Sequence, residues 1–183
     1  VGEELEFVIS NTTEAGIEFV EEDFVPGHCQ KTYPAKLTSL LYARYNAFSG
    51  AKDKGITVIP CELIDRNGDN LKKCVLEYVH YWNLGDEFEE WINSACAFLN
   101  TLVDRIVPGY PRDEAQALAD ERGYADNIAD TGEIFHFWVI EGDKKYAERL
   151  PFHKAGLNVL WTDDMEPYRT RKVRILNGAH TMT

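Results

Sequence analysis

No apolar run reaches about 18 residues, the length a membrane-spanning helix requires, so no membrane partner is expected. The chain opens VGEELEFVIS, without the basic start and long apolar core of a secretory signal, and a cytoplasmic location is expected. Cationic residues are scarce: 19 Lys and Arg stand against 31 Asp and Glu, a net charge of −12. Such a surface repels phosphate backbones, so nucleic acid is not an expected partner. Cysteine is sparse too. Cys29, Cys61, Cys74 and Cys96 form no C-x-x-C pair and no Cys/His array of zinc spacing; they read as free thiols, three of them packed in the core. His28-Cys29 lacks a second ligand pair, and His80, His136 and His153 show no H-E-x-x-H pairing, so no metal site is expected. Finally, no G-x-G-x-x-G turn occurs in the 183 residues, so the chain carries no dinucleotide-phosphate cradle of that type.

What is present is an alternation of strand and helix signals. EFVISNTTEAG begins as an apolar strand and ends in residues suited to the mouth of a βα loop. PAKLTSLLYARYNAFSG follows a helical period through Leu37, Leu40, Leu41, Tyr45 and Phe48, with Gly50 as its stop. GITVIPCELI is a β-branched run, a buried strand. This order predicts an α/β fold with parallel βαβ packing.

Asn67-Gly68 is a turn signal, after which two helices are expected, one through Leu71, Val75, Tyr78, Val79 and Trp82, the next through Phe88, Trp91, Ile92, Ala95 and Leu99. VDRIVPGYP reads as a strand broken by prolines, DEAQALADERG as an acidic helix ending at Gly123, and IFHFWVIEG and LNVLWTD as further strands. The acidic run Glu18, Glu21, Glu22 and Asp23 reads as a solvated face, and the tryptophans as packing residues. Asp164 can cap a last helix with Pro167 in its first turn.

That last helix carries RKVRILNGAH, residues 171–180. At about 100° per residue, Lys172, Asn177 and His180 fall within one arc of about 140°. Val173 and Leu176 share the arc, so an amine there is desolvated toward its neutral form. Such a lysine can exchange a proton with a reacting oxygen that an asparagine and a histidine hold by hydrogen bonds. From spacing alone, a solvated lysine, a helix-ending Asn-Gly and a surface histidine account for the pattern more simply.

K-x4-N-x2-H, here Lys172, Asn177 and His180, resembles the catalytic signature of the polyol-specific long-chain dehydrogenases, the mannitol dehydrogenase family. VISNTTEAGI, PAKLTSLLYAR, PCELIDRNG, NTLVDRIVPGYPRDE and WVIEG resemble it as well, and the wording of PCELIDRNG, RIVPGYPRDE and PYRTRKVRILNGAHT is most similar to its tagaturonate reductase branch. The likeness runs from about Phe7 to Thr181.

The resemblance implies a doubly wound, mainly parallel Rossmann-like domain and a metal-independent hydride transfer with NAD as cofactor, interconverting D-tagaturonate and D-altronate. It makes Lys172 the general acid in ketone reduction, with Asn177 and His180 polarising the substrate oxygen. Asp104 falls at a position near the substrate, and Asn11, Thr12 and Glu14 lie on a loop facing the nicotinamide half of the cofactor. Where mannitol-acting members read C-D-N, this chain has Cys61-Glu62-Leu63; where they carry a glutamate three residues before the lysine, it has Arg169. A guanidinium suits the carboxylate that a uronate has and mannitol lacks, so Arg169 is expected at the substrate.

The missing glycine-rich turn and the end at Thr183 suggest the middle of a longer enzyme. Residues 1–163 are expected to form the later part of a nucleotide-binding domain and 164–183 the start of a helical substrate domain. Such a piece is expected to be inactive alone and open to self-association through surfaces its other half would cover. Two other readings are a mannitol- or fructuronate-type dehydrogenase of the same family and a module without catalysis.

Overall fold

The computed structural model describes residues 2–172. Strands β1 (Phe7–Ser10), β2 (Thr57–Pro60) and β3 (Ala97–Phe98) pair in parallel, with Phe7 opposite Thr57 and Thr57 opposite Ala97. β4 (Asn100–Asp104) follows after one residue, Leu99, whose N–H donates to the Val58 carbonyl at 2.9 Å. The run 97–104 therefore joins β2 with its first half. With its second it joins β5 (Phe137–Glu141), antiparallel, and β6 (Val159–Thr162) adds to β5 in parallel. The result is two three-stranded sheets, β1-β2-β3 and β4-β5-β6, continuous through the run 97–104 and mainly parallel, in an α/β fold as the alternation predicted.

Helices cover both faces because neighbouring strand residues point to opposite sides. Val58 faces a core formed by α1 (Tyr33–Ala47), α2 (Asn67–Tyr81) and α3 (Asp86–Ala95), with Leu41, Leu71, Val75, Phe88 and Ile92 fully buried. Ile59 faces a second core with Leu99 and Ile140, closed by Tyr146 and Leu150 at α5 (Lys144–Arg149). Two further helices, α4 (Ala115–Arg122) and α6 (Glu166–Arg171), follow β4 and β6 respectively.

Several expectations change in detail. Asn67-Gly68 is not a turn: it opens α2, and the positive φ of 48° belongs to Arg66 one residue earlier. The reason is packing, since a Cβ on Gly68 would stand 2.5 Å from the Leu99 carbonyl oxygen. Only the absence of a side chain lets the start of α2 lie against the β3/β4 junction. Leu99 leaves the helix it was expected to complete, because α3 stops at Ala95 and the chain turns into β3. The segment after Asp104 is a largely exposed excursion. One bridge, Gly109 to Thr131, crosses it, and α4 buries no residue. Of the cysteines, Cys74 is buried, Cys61 and Cys96 are half-buried and Cys29 is exposed, all as free thiols. Burial pushes the Cys61 and Cys96 thiols up to about 11.

Candidate active site

Because β1, β2 and β3/β4 run in parallel, their carboxyl ends share one edge of the sheet, the edge at which open α/β sheets bind ligands. At the end of β2, Glu62 is 2% exposed yet fully engaged. Its carboxylate accepts from the Ser10 hydroxyl at 3.1 Å and from the Thr12 N–H and hydroxyl at 3.0 and 2.9 Å. These bonds tie the loop after β1 to β2. Next to it the wholly buried Asn67 donates to the Pro60 carbonyl at 3.0 Å and the Glu62 carbonyl at 3.1 Å, and accepts from the Thr101 N–H at 2.8 Å. One amide thereby joins the end of β2 to the middle of β4. Tyr33, at the start of α1, carries a buried hydroxyl without a hydrogen-bond partner. Burial pushes its phenol up to about 12, with the nearby Ser10 hydroxyl opposing and the Glu62 carboxylate adding.

The loop from Asn11 to Thr32 is long, and aromatic anchors hold it down. The Tyr78 hydroxyl donates to the Val20 carbonyl at 2.7 Å, and the Trp82 indole donates to the Glu22 carbonyl at 2.7 Å. Glu22 is not merely a solvated acid. It accepts from the N–H groups of Lys31 and Thr32 at 2.7 and 3.1 Å. Despite partial desolvation, these donors and the Thr32 hydroxyl hold its carboxyl below the usual range.

The helical side of the site is α6. Pro167 lies in the first turn as expected, but the capping position falls to Met165; Asp164, one residue earlier, still accepts from the Glu166 N–H at 2.9 Å. Glu141, at the end of β5, accepts from the Met165 N–H at 3.2 Å, and Arg169 pairs with Asp65 in the loop before α2. Both contacts press α6 onto the carboxyl ends of the strands. Lys172 continues the helical backbone and turns inward, 14% exposed. Its ammonium donates to the Val103 carbonyl at 2.5 Å and stands 3.5 Å from the Asp104 carboxylate. The amine is thus partly buried, as the sequence pattern suggested, and held by polar partners.

Lys172 and Asp104 line a cavity of about 400 Å³ together with Leu102, Phe135, Phe137, Asn158, Tyr168 and Arg171. The structure therefore brings together Lys172 and Asp104, 68 positions apart in sequence. Asn177 and His180 lie outside the described residues. Arg169 faces Asp65 and does not line the cavity. Asn11 and Glu14 are exposed on the loop after β1, where Thr12 is occupied by Glu62, and Leu63 is exposed at 63%. Sequence reasoning missed the Asn67 and Glu62 connections and the wall from residues 135–158. No spacing rule could supply them, because each rests on strand register across many positions.

Comparison with known proteins fits this geometry. The sequence model of the mannitol dehydrogenase Rossmann domain matches residues 2–154. The altronate oxidoreductase of Enterobacter sp. (strain 638) is 55% identical over 178 residues, covering 97% of this chain and 37% of that protein. That of Bacillus subtilis (strain 168) is 51% identical over 179 residues, covering 98% and 37%. Among solved structures, D-sorbitol dehydrogenase in substrate-free form superposes with a TM-score of 0.72 at 26% identity, over 97% of this chain and 37% of that one. The Pseudomonas fluorescens mannitol 2-dehydrogenase ternary complex with NAD and D-mannitol gives 0.70 at 26% identity, over 98% and 37%. The chain thus spans 37% of the length of these relatives. With the family model matching residues 2–154 of its 183, the chain belongs to the mannitol dehydrogenase family.

Proposed function

We propose that this chain is the catalytic-lysine part of an NAD-dependent oxidoreductase that interconverts D-tagaturonate and D-altronate. The observation that carries the reading is the inward-turned Lys172 ammonium at the carboxyl edge of the sheet, beside Asp104 and over the cavity. An ammonium has three N–H donors. The Val103 carbonyl takes one and Asp104 orients a second, which leaves the third for a substrate oxygen. In reduction, Lys172 gives that proton to the oxygen as the carbonyl becomes an alcohol; in oxidation it takes the proton back. Asp104 stabilises the ammonium between turnovers. Asn177 and His180, by family likeness, hold the same oxygen and polarise the carbonyl. Bound NADH supplies the hydride.

The residues suit the nicotinamide half of that cofactor. The orphaned Tyr33 hydroxyl at the start of α1 offers a polar contact for an amide. A Cβ on Gly16 would strike the Thr12 hydroxyl at 2.0 Å, so the loop carrying Asn11, Thr12 and Glu14 keeps its compact turn only with glycine there. The chain has no glycine-rich turn of the G-x-G-x-x-G type for the pyrophosphate. In this reading α6 begins a helical substrate domain, and the 183 residues alone turn over neither sugar.

The test is NADH oxidation with D-tagaturonate and with D-fructose, by the chain completed at both ends to the length of its relatives. Turnover of the keto-uronate is expected, and Lys172→Ala should lower kcat by about 10²- to 10⁴-fold, the usual worth of a general acid. Preference for fructose would move the substrate to the polyols. Silence with both, from a folded protein, would end the reading.

A further inference from the structure

The cavity over Lys172 differs in charge from the molecule around it. The whole chain carries −12, yet among the described residues the three charged ones lining this cavity are Asp104, Arg171 and Lys172, two cations to one anion. With Lys172 beside Asp104 at 3.5 Å, the guanidinium of Arg171 is the lining charge without a counter-ion among the described residues. Arg171 is exposed at the cavity mouth. A cationic cleft draws in an anion.

Arg169 meets different surroundings. Two residues earlier on α6, about 200° around the helix from Arg171, it turns to Asp65, with Glu166 a further 3.9 Å neighbour. A guanidinium already occupied by a carboxylate on its own protein has little left for a substrate carboxylate. Its work is to hold α6 on the strand ends.

Resting on the function proposed above, we infer that Arg171 is the residue that binds the substrate's carboxylate. The planar guanidinium offers two parallel N–H donors, the geometry a carboxylate accepts. Being next to Lys172 in sequence, Arg171 projects about 100° away around the helix axis, so the two cations grip separate ends of an extended sugar acid. In the same lining, Asn158 and Tyr168 carry a side-chain amide and a hydroxyl with no hydrogen bond within the described residues, available to the sugar's hydroxyls. Phe137, at a centroid distance of 6.3 Å from the Tyr168 ring, closes the apolar side. The pocket thus discriminates by charge at its mouth, and a neutral ketose of equal length leaves Arg171 without a partner.

The experiment uses the completed enzyme and compares Arg171→Ala, Arg171→Lys and Arg169→Ala. Arg171→Ala should raise KM for D-tagaturonate about 10- to 100-fold with a smaller change in kcat, and leave KM for NADH where it was. Arg171→Lys should recover part of the loss, since charge returns without the two-pronged geometry. An unchanged KM for the keto-acid in a folded Arg171→Ala enzyme overturns the assignment while leaving the reductase reading intact. A rise in KM for NADH instead would place the guanidinium on the cofactor's phosphates and also overturn it. The same KM rise confined to Arg169→Ala would transfer the role to Arg169. A parent enzyme inactive on every sugar acid overturns the reductase reading and this assignment with it.

Discussion

The region around α1, α2 and α3 and the excursion between β4 and β5 both contain large apolar residues, yet they use them oppositely. Phe88 is 1% exposed and packs against Tyr42, Tyr45 and Trp91 at ring distances of 5.1, 5.3 and 6.1 Å. Ile134 is 98% exposed and Ile128 93%. Phe88 lies on a helix whose apolar residues recur on one face, so burying one buries all. The isoleucines lie in irregular chain, where nothing aligns them with a partner. Hydrophobic character alone does not make a core; periodicity that matches a neighbouring layer does.

The site lies between these extremes. Its floor, the ends of β2 and β4, belongs to the well-packed region and is cross-tied by Asn67, while Glu62 ties the loop after β1 to β2. Its wall, from Phe135 to Asn158, begins where the excursion ends. A rigid floor holds Val103 and Asp104, the partners of Lys172, whereas the sparsely packed wall is freer to vary.

Mutation can sharpen the contrast. The largest effect is expected for Phe88→Ala, about 3–5 kcal/mol of lost stability by chemical denaturation, because it empties a closed core. Ile134→Ser in the excursion should fall within about 0.5 kcal/mol of the parent. Equal losses at both positions would erase the distinction. Next comes Asn67→Leu, expected to cost about 1–3 kcal/mol and to speed amide exchange at Thr101, since it orphans that N–H in the interior, while the Pro60 and Glu62 carbonyls keep the Thr101 hydroxyl and the Ile64 N–H as donors. A neutral result would mean the floor does not depend on this amide.

The smallest effect concerns the loop after β1. Because the Glu22 carboxyl is held below its ordinary value of 4.5, its contribution is fully present above that pH and is lost as pH falls through the lowered value. Amide exchange at Lys31 and Thr32 should therefore rise selectively on acidification below 4.5, and unchanged protection would remove Glu22 as the loop's fastener.

Much of the fold was legible because its determinants are local. The period of Leu37, Leu41 and Tyr45 marks α1, the β-branched run TVIP marks β2, and Gly123 ends α4 with a positive φ of 76°. Asn67-Gly68 misled because the same dipeptide that suits a tight turn also suits a helix start pressed against another strand. Local propensity cannot tell the two apart; the 2.5 Å approach to Leu99 can.

For the candidate site, the sequence by itself determined the chemical inventory: the family-like placing of Lys172, the aspartate of VDRI, and the two arginines of α6. Tertiary structure alone decided their company. It set the Lys172 amine 3.5 Å from Asp104 across 68 positions, and sent Arg169 to Asp65 while leaving Arg171 at the cavity. Helical period says on which side of its own axis a residue lies. What stands opposite depends on strand register and helix docking, and these follow from burying both faces of the sheet at once.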